Sequence, residues 1–123
     1  MNYEITKPTY VVNVLGTDYS VFLDVPEGED PMLLEGACSG YCDKTAKRIV
    51  VVGEMKESEL SDWSVYRKEC LRHELIHAFM FESGIDANMT WDIDGQEHPE
   101  GLIGWLAIQF PKIVKAFREV GAL

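Results

Sequence analysis

The stretch Leu71-Arg72-His73-Glu74-Leu75-Ile76-His77 constrains this chain more than any other, because it sets His-Glu-x-x-His inside an uninterrupted helical run. No Pro or Gly falls between Trp63 and Ser83, Asp62 or Ser61 is suited to cap the N-terminus, and Gly84 supplies a C′ stop. Side chains four residues apart on a helix sit one above the other. His73 and His77 are therefore expected to aim two imidazole nitrogens at one cation. Glu74 reaches the edge of the same space without being a ligand. Two such histidines and an adjacent carboxylate base are the set that a hydrolytic zinc helix requires. The spacing also predicts one buried stripe through Tyr66, Cys70, His73, Ile76/His77 and Met80, with Arg67, Lys68 and Arg72 on the charged face. The competing reading is a helix with two neutral core histidines and a salt-bridged Glu74.

A chain of 123 residues is expected to form a single domain, 1–123, with a modest core and no second lobe. Apolar residues make up 46% and charged residues 26%, an ordinary globular mix. The formal net charge of −10 repels nucleic acid and anionic membrane alike, so neither is expected as a partner. No apolar run approaches the length of a spanning helix, and Met1-Asn2-Tyr3-Glu4-Ile5-Thr6 lacks the basic-then-apolar pattern of a signal peptide. Three cysteines, Cys38, Cys42 and Cys70, are an odd count, and Cys38 and Cys42 are separated by three residues rather than two, which argues against a disulfide framework; reduced thiols and a cytoplasmic location are expected. Cys38 and Cys42 lack a further Cys or His pair to close a metal clip, and Cys70 reads as packing beside the motif.

The first half reads as β-structure. Tyr10 to Leu15 and Tyr19 to Val25 form a predicted hairpin about Gly16-Thr17-Asp18, followed by an acidic loop from Pro26 to Pro31. Met32 to Cys42 suggests a short strand or extended loop, Asp43-Lys44-Thr45 a turn, and Ile49-Val50-Val51-Val52 a buried strand. A strand close before a metal helix can add an extended peptide as a further strand, a task that falls to whichever strand lies at the sheet edge. Ser83 to Glu97 is expected to be a loop with Trp91 as its anchor. Asp92-Ile93-Asp94-Gly95 lacks the remaining oxygens of a calcium loop. Pro99 suits the first position of a second helix with His98 near its cap. Leu102, Ile103, Leu106, Phe110, Ile113, Val114 and Phe117 keep a helical stripe, and Pro111 is expected to kink or split it.

Two histidines do not hold a catalytic zinc; a third protein ligand is needed, leaving a fourth position for water. Phe79-Met80-Phe81 follows the motif without a glycine, so the chain lacks the His-x-x-Gly-x-x-His extension that would supply a third ligand from the same segment. The next helix offers Glu97, His98 and Glu100. His73-Glu74-Leu75-Ile76-His77 followed by Glu100-Gly101-Leu102-Ile103-Gly104-Trp105-Leu106-Ala107 resembles the small phage and prophage zincin-like proteins. Those are similar to the metallopeptidase domain of the ImmA/IrrE type. The resemblance covers the second half of the chain and the strand region only in outline. It implies a minimal zincin-like α+β fold: a small N-terminal antiparallel or mixed sheet against the His-Glu-x-x-His helix and a C-terminal helix. It further implies Zn2+ as cofactor, Glu100 as third ligand and Glu74 as general base. Gly101, Gly104 and Pro99 depart from a typical helix at that ligand, and His98 stands as alternative ligand or as a donor to a developing oxyanion.

The expected function is peptide-bond hydrolysis by water that zinc activates, with Glu74 as base and a protein or peptide as substrate. The alternative is a zinc-stabilised interaction module with weak or no catalysis.

Overall fold

The computed structural model describes residues 7–36, 39–54, 59–88 and 100–123. Two strands, β1 (Tyr10–Val14) and β2 (Thr17–Val25), form the expected hairpin. Its turn is Leu15-Gly16 rather than Gly16-Thr17-Asp18, with φ of 52° and 98° at the two residues. Paired positive φ values follow the twist of antiparallel strands, and the glycine adopts one of them without strain. Asn13 fixes this register: its Oδ1 accepts from the Gly16 amide at 2.9 Å and its Nδ2 donates to Asp18 at 3.1 Å.

The stretch after Asp30 departs from expectation. Pro31–Gly36 is a short helix, α1, and only Gly40–Asp43 is a strand, β3. Asp30 explains the helix. Its buried carboxylate accepts from the Met32 amide at 2.9 Å and from the Tyr41 hydroxyl at 2.6 Å, while Pro31 stands at the first helical position. The predicted turn then follows, with Asp43 Oδ1 accepting from the Thr45 amide and hydroxyl and the Ala46 amide. It leads into β4 (Arg48–Val52).

The sheet order is β1-β2-β4-β3, with β2 and β4 parallel and the other pairs antiparallel. The strand just before the His-Glu-x-x-His helix in sequence, β4, is thus internal. The edge on that side is β3. Period-two alternation sends Val12, Val14, Tyr19, Val21, Ile49 and Val51 to one face. Phe22, Val50 and Val52 go to the other, and an irregularity between Phe22 and Val25, where Asp24 takes a φ of 56°, turns Val25 to that same side, where Leu33 of α1 covers them.

Two long helices close the first face: α2 (Trp63–Glu82) and α4 (Glu100–Glu119), with the four-residue α3 (Ile85–Asn88) between them. Asp62 caps α2 by accepting from the Ser64 and Val65 amides, and Gly84, at φ 81°, follows its end. Leu71, Leu75, Ala78 and Phe79 are the residues of α2 that enter the core. The stripe expected through Tyr66, Cys70 and Met80 is only half buried, and Ile76 is exposed. From α4 the core takes Ile113, Ala116 and Phe117, and Val120 just after it, whereas Leu106 and Phe110 face solvent. Pro111 does not split α4, which runs unbroken through it. Ala107 and Pro111 are both exposed, so water can satisfy the carbonyl that the proline leaves without a donor. The architecture is α+β, a small mixed sheet with helices.

Candidate metal centre

The helical register of α2 does what the spacing requires. His73 Nε2 and His77 Nε2 stand 3.2 Å apart, with ring centroids 4.9 Å apart and planes at 65°. Two nitrogens that each bind a tetrahedral zinc at about 2.0–2.1 Å lie about 3.3 Å from one another, so the pair fits one ion without moving. The ring of Phe81 stacks on that of His77 with centroids 6.0 Å apart, which fixes the plane of the second imidazole. Burial, then the neighbouring His73, hold His77 below the ordinary histidine range, against the opposing charge of Asp86. A neutral ring is the form that binds metal.

Glu74 completes the cluster, with ligand-type atoms of His73, Glu74 and His77 all within 4.8 Å of one another. Its place in the fold differs from that of the imidazoles. It is 9% exposed and lies against β3, where a Cβ built on Gly40 would come 3.5 Å from Glu74 Cγ. Burial pushes its carboxyl above the ordinary range, with His73 acting in the opposite sense. A carboxylate with raised proton affinity next to a metal position is suited to accept a proton from water.

No family model, curated protein or solved structure matches this chain. The cluster therefore stands on its own geometry.

His98 and Glu97 lie outside the described residues. For Glu100 the structure describes the backbone, as the first residue of α4. Trp91, Asp92, Asp94 and Pro99 also lie outside the described residues. Cys42 and Cys70 are unbridged. Burial pushes the Cys42 thiol up to about 12, with the carboxylates of Glu74, Asp43 and Glu82 adding to the effect, and burial also raises Cys70. Both therefore stay protonated and pack against the core.

Sequence reasoning passed over the wall that faces this helix. Ser39 and Gly40, at the start of β3, close a pocket of about 340 Å³ with Tyr66, Glu69, Cys70, His73 and Glu74. The Ser39 and Tyr66 hydroxyls are 2.6 Å apart and tie the two walls together. The signal in the sequence was the pair of small residues, Ser39-Gly40, which lets a strand approach a helix closely. Among the described residues no strand pairs with the outer side of β3, and no helix is long and apolar enough to cross a membrane.

Proposed function

We propose that this chain is a zinc-dependent metallopeptidase of the small phage or prophage zincin-like type, acting on a protein or peptide in the cytoplasm. The observation that carries the reading is the 3.2 Å approach of the two Nε2 atoms, with the buried carboxylate of Glu74 beside them. In this reading His73 and His77 hold the ion and Glu100 completes the protein ligands, with His98 as the alternative.

Bound zinc would supply a Lewis acid that polarises the scissile carbonyl and lowers the pKa of water at its open position. The residues of the chain do the rest. Glu74 takes the proton of the attacking water and returns it to the leaving amine. The outer edge of β3 offers backbone donors and acceptors to an extended peptide, which would run alongside Gly40 and so past Glu74.

The test joins metal content to cleavage. Protein purified without added metal should carry stoichiometric zinc by elemental analysis, and His77→Ala should lose it. Glu74→Gln should keep zinc and fold, yet lower cleavage of a mixed peptide library by about a hundredfold or more. Absence of zinc overturns the reading. Stoichiometric zinc with no cleavage by the wild type would leave the ion a structural role and the chain an interaction module.

A further inference from the structure

The pocket beside Glu74 extends away from the two imidazoles, toward the N-terminus of α2. Its helical wall is Tyr66, Glu69, Cys70, His73 and Glu74, residues that share one face by their spacing. With a rise of 1.5 Å per residue, Glu69 stands about 7.5 Å back along the axis from Glu74. A short side chain entering beside Glu74 cannot span that distance; an extended arginine or lysine can.

The chemistry of the walls selects among long side chains. Beyond the His73–Glu74 end of the pocket, the charged side chain in its lining is the carboxylate of Glu69. Glu69 is exposed at the rim, and among the described residues no cation is paired with it. Of the three basic residues of α2, Arg67 is held by Asp24 at 2.8 Å and Arg72 by the Ala122 carbonyl at 2.8 Å, and Lys68, next to Glu69 in sequence, makes no ion pair with it among the described residues. Tyr66 presents an aromatic wall whose hydroxyl is 2.6 Å from that of Ser39 and whose ring packs at a tilt on Trp63 with centroids 5.2 Å apart; a flat guanidinium would lie against the part of the ring that lines the pocket. Between the two ends, the protonated and half-buried Cys70 offers a surface for an aliphatic stem.

We propose that this pocket is a subsite for a basic substrate side chain, arginine above all. Its methylenes pass Cys70 and its guanidinium lies between the Tyr66 ring and the Glu69 carboxylate. The inference rests on the metallopeptidase reading for the meaning of "substrate", but not for the pocket's preference.

The test uses two series of hexapeptides, end-blocked and fluorescently labelled. One arginine moves through an alanine–glycine background, and the matching series carries citrulline, its neutral isostere. Binding is read by anisotropy on full-length, zinc-equilibrated Glu74→Gln protein, which does not turn the peptides over. In one register arginine should bind about tenfold more tightly than citrulline, the combined scale of a rim ion pair and a cation–π contact. Adding Glu69→Gln should bring that ratio close to one, and adding Glu69→Lys should invert it in favour of citrulline. Equal affinities in every register, or a preference that survives Glu69→Gln, overturns the subsite. Wild-type cleavage of the same peptides reports on the peptidase separately. Cleavage without an arginine preference sinks only the subsite, and an arginine preference without zinc or cleavage sinks only the peptidase.

Discussion

Glu82 shows how much one side chain at the end of α2 is asked to hold. Its Oε2 accepts from the hydroxyl of the fully buried Tyr19 at 2.7 Å and from Lys47 Nζ at 2.9 Å, joining β2, the β3–β4 turn and α2. Burial pushes the carboxyl up, but the hydrogen bonds from Tyr19, Lys47 and Thr17 outweigh it and hold it below the ordinary range. The same arrangement, with burial first, drives the Tyr19 hydroxyl far above its usual value. Because the folded carboxyl titrates lower than its unfolded counterpart at about 4.3, its stabilisation is complete above that pH. It is lost as pH falls through the folded value. Glu82→Gln should therefore cost about 1 kcal/mol at pH 7, the net scale of a charge-assisted bond with a half-exposed lysine. The gap between variant and wild type should close on acidification, as urea midpoints from pH 7 to pH 3 would show. An unchanged gap would mean that the charge of Glu82 contributes nothing. Nothing in the sequence announces this cluster, because its members are brought together only by the packing of distant segments. His73 and His77 are the opposite case: their approach depends on the helix period alone, so it was legible before any fold was known.

At the scale of elements, β3 sets the position of Glu74 through Gly40. A Cβ there would stand 2.8 Å from the Val50 carbonyl oxygen of β4, a backbone atom that cannot swing aside. Gly40→Ala should push β3 away from β4 and lower stability by about 1–3 kcal/mol, as overpacking does. A denaturant midpoint identical to wild type would contradict this placement of β3. The short helix α1, expected as strand or loop, was signalled by Asp30-Pro31, a cap and a first-turn residue hidden within an acidic, Pro-bounded stretch. The face of α2 was harder to read. Apolar side chains occur around much of its circumference, from Tyr66 and Cys70 through Leu71, Leu75 and Ile76 to Phe79 and Phe81. Several rotations satisfy such a pattern, and contact with the sheet chose the one through Leu71, Leu75 and Phe79. The stripe of α4 failed for a related reason: periodicity marks a face, but not how far along the helix a neighbour reaches to cover it.

The molecule as a whole anchors its two long helices unequally, and a metal between them would act on that difference. The second half of α4 is fixed in the core through Ile113, Ala116 and Phe117, with Val120 directly after it. Its first half carries Leu106, Ile108 and Phe110 at 42%, 67% and 54% exposure. Trp105 Nε1 ties this half to the C-cap of α2 by donating to Ser83 Oγ at 2.8 Å. With Glu100 as the proposed third ligand, zinc would add a second tie at the start of the same segment and link α4 to α2 through His73 and His77. Local opening in a helix scales with how few buried contacts hold it, so zinc should slow amide exchange over residues 100–110 more than over 113–120. At a free zinc concentration about a hundredfold above the dissociation constant, linkage gives about 2.7 kcal/mol of stabilisation and raises Tm on the order of 10 °C. His77→Ala should abolish both effects. Glu100→Gln discriminates further: it should weaken zinc binding and erase the added protection in the first half of α4. If protection over 100–110 instead survives Glu100→Gln and disappears with His98→Ala, the third ligand is the histidine. Equal protection of both halves of α4 would mean that no residue near its start touches the metal, and that α2 binds the ion without help from α4.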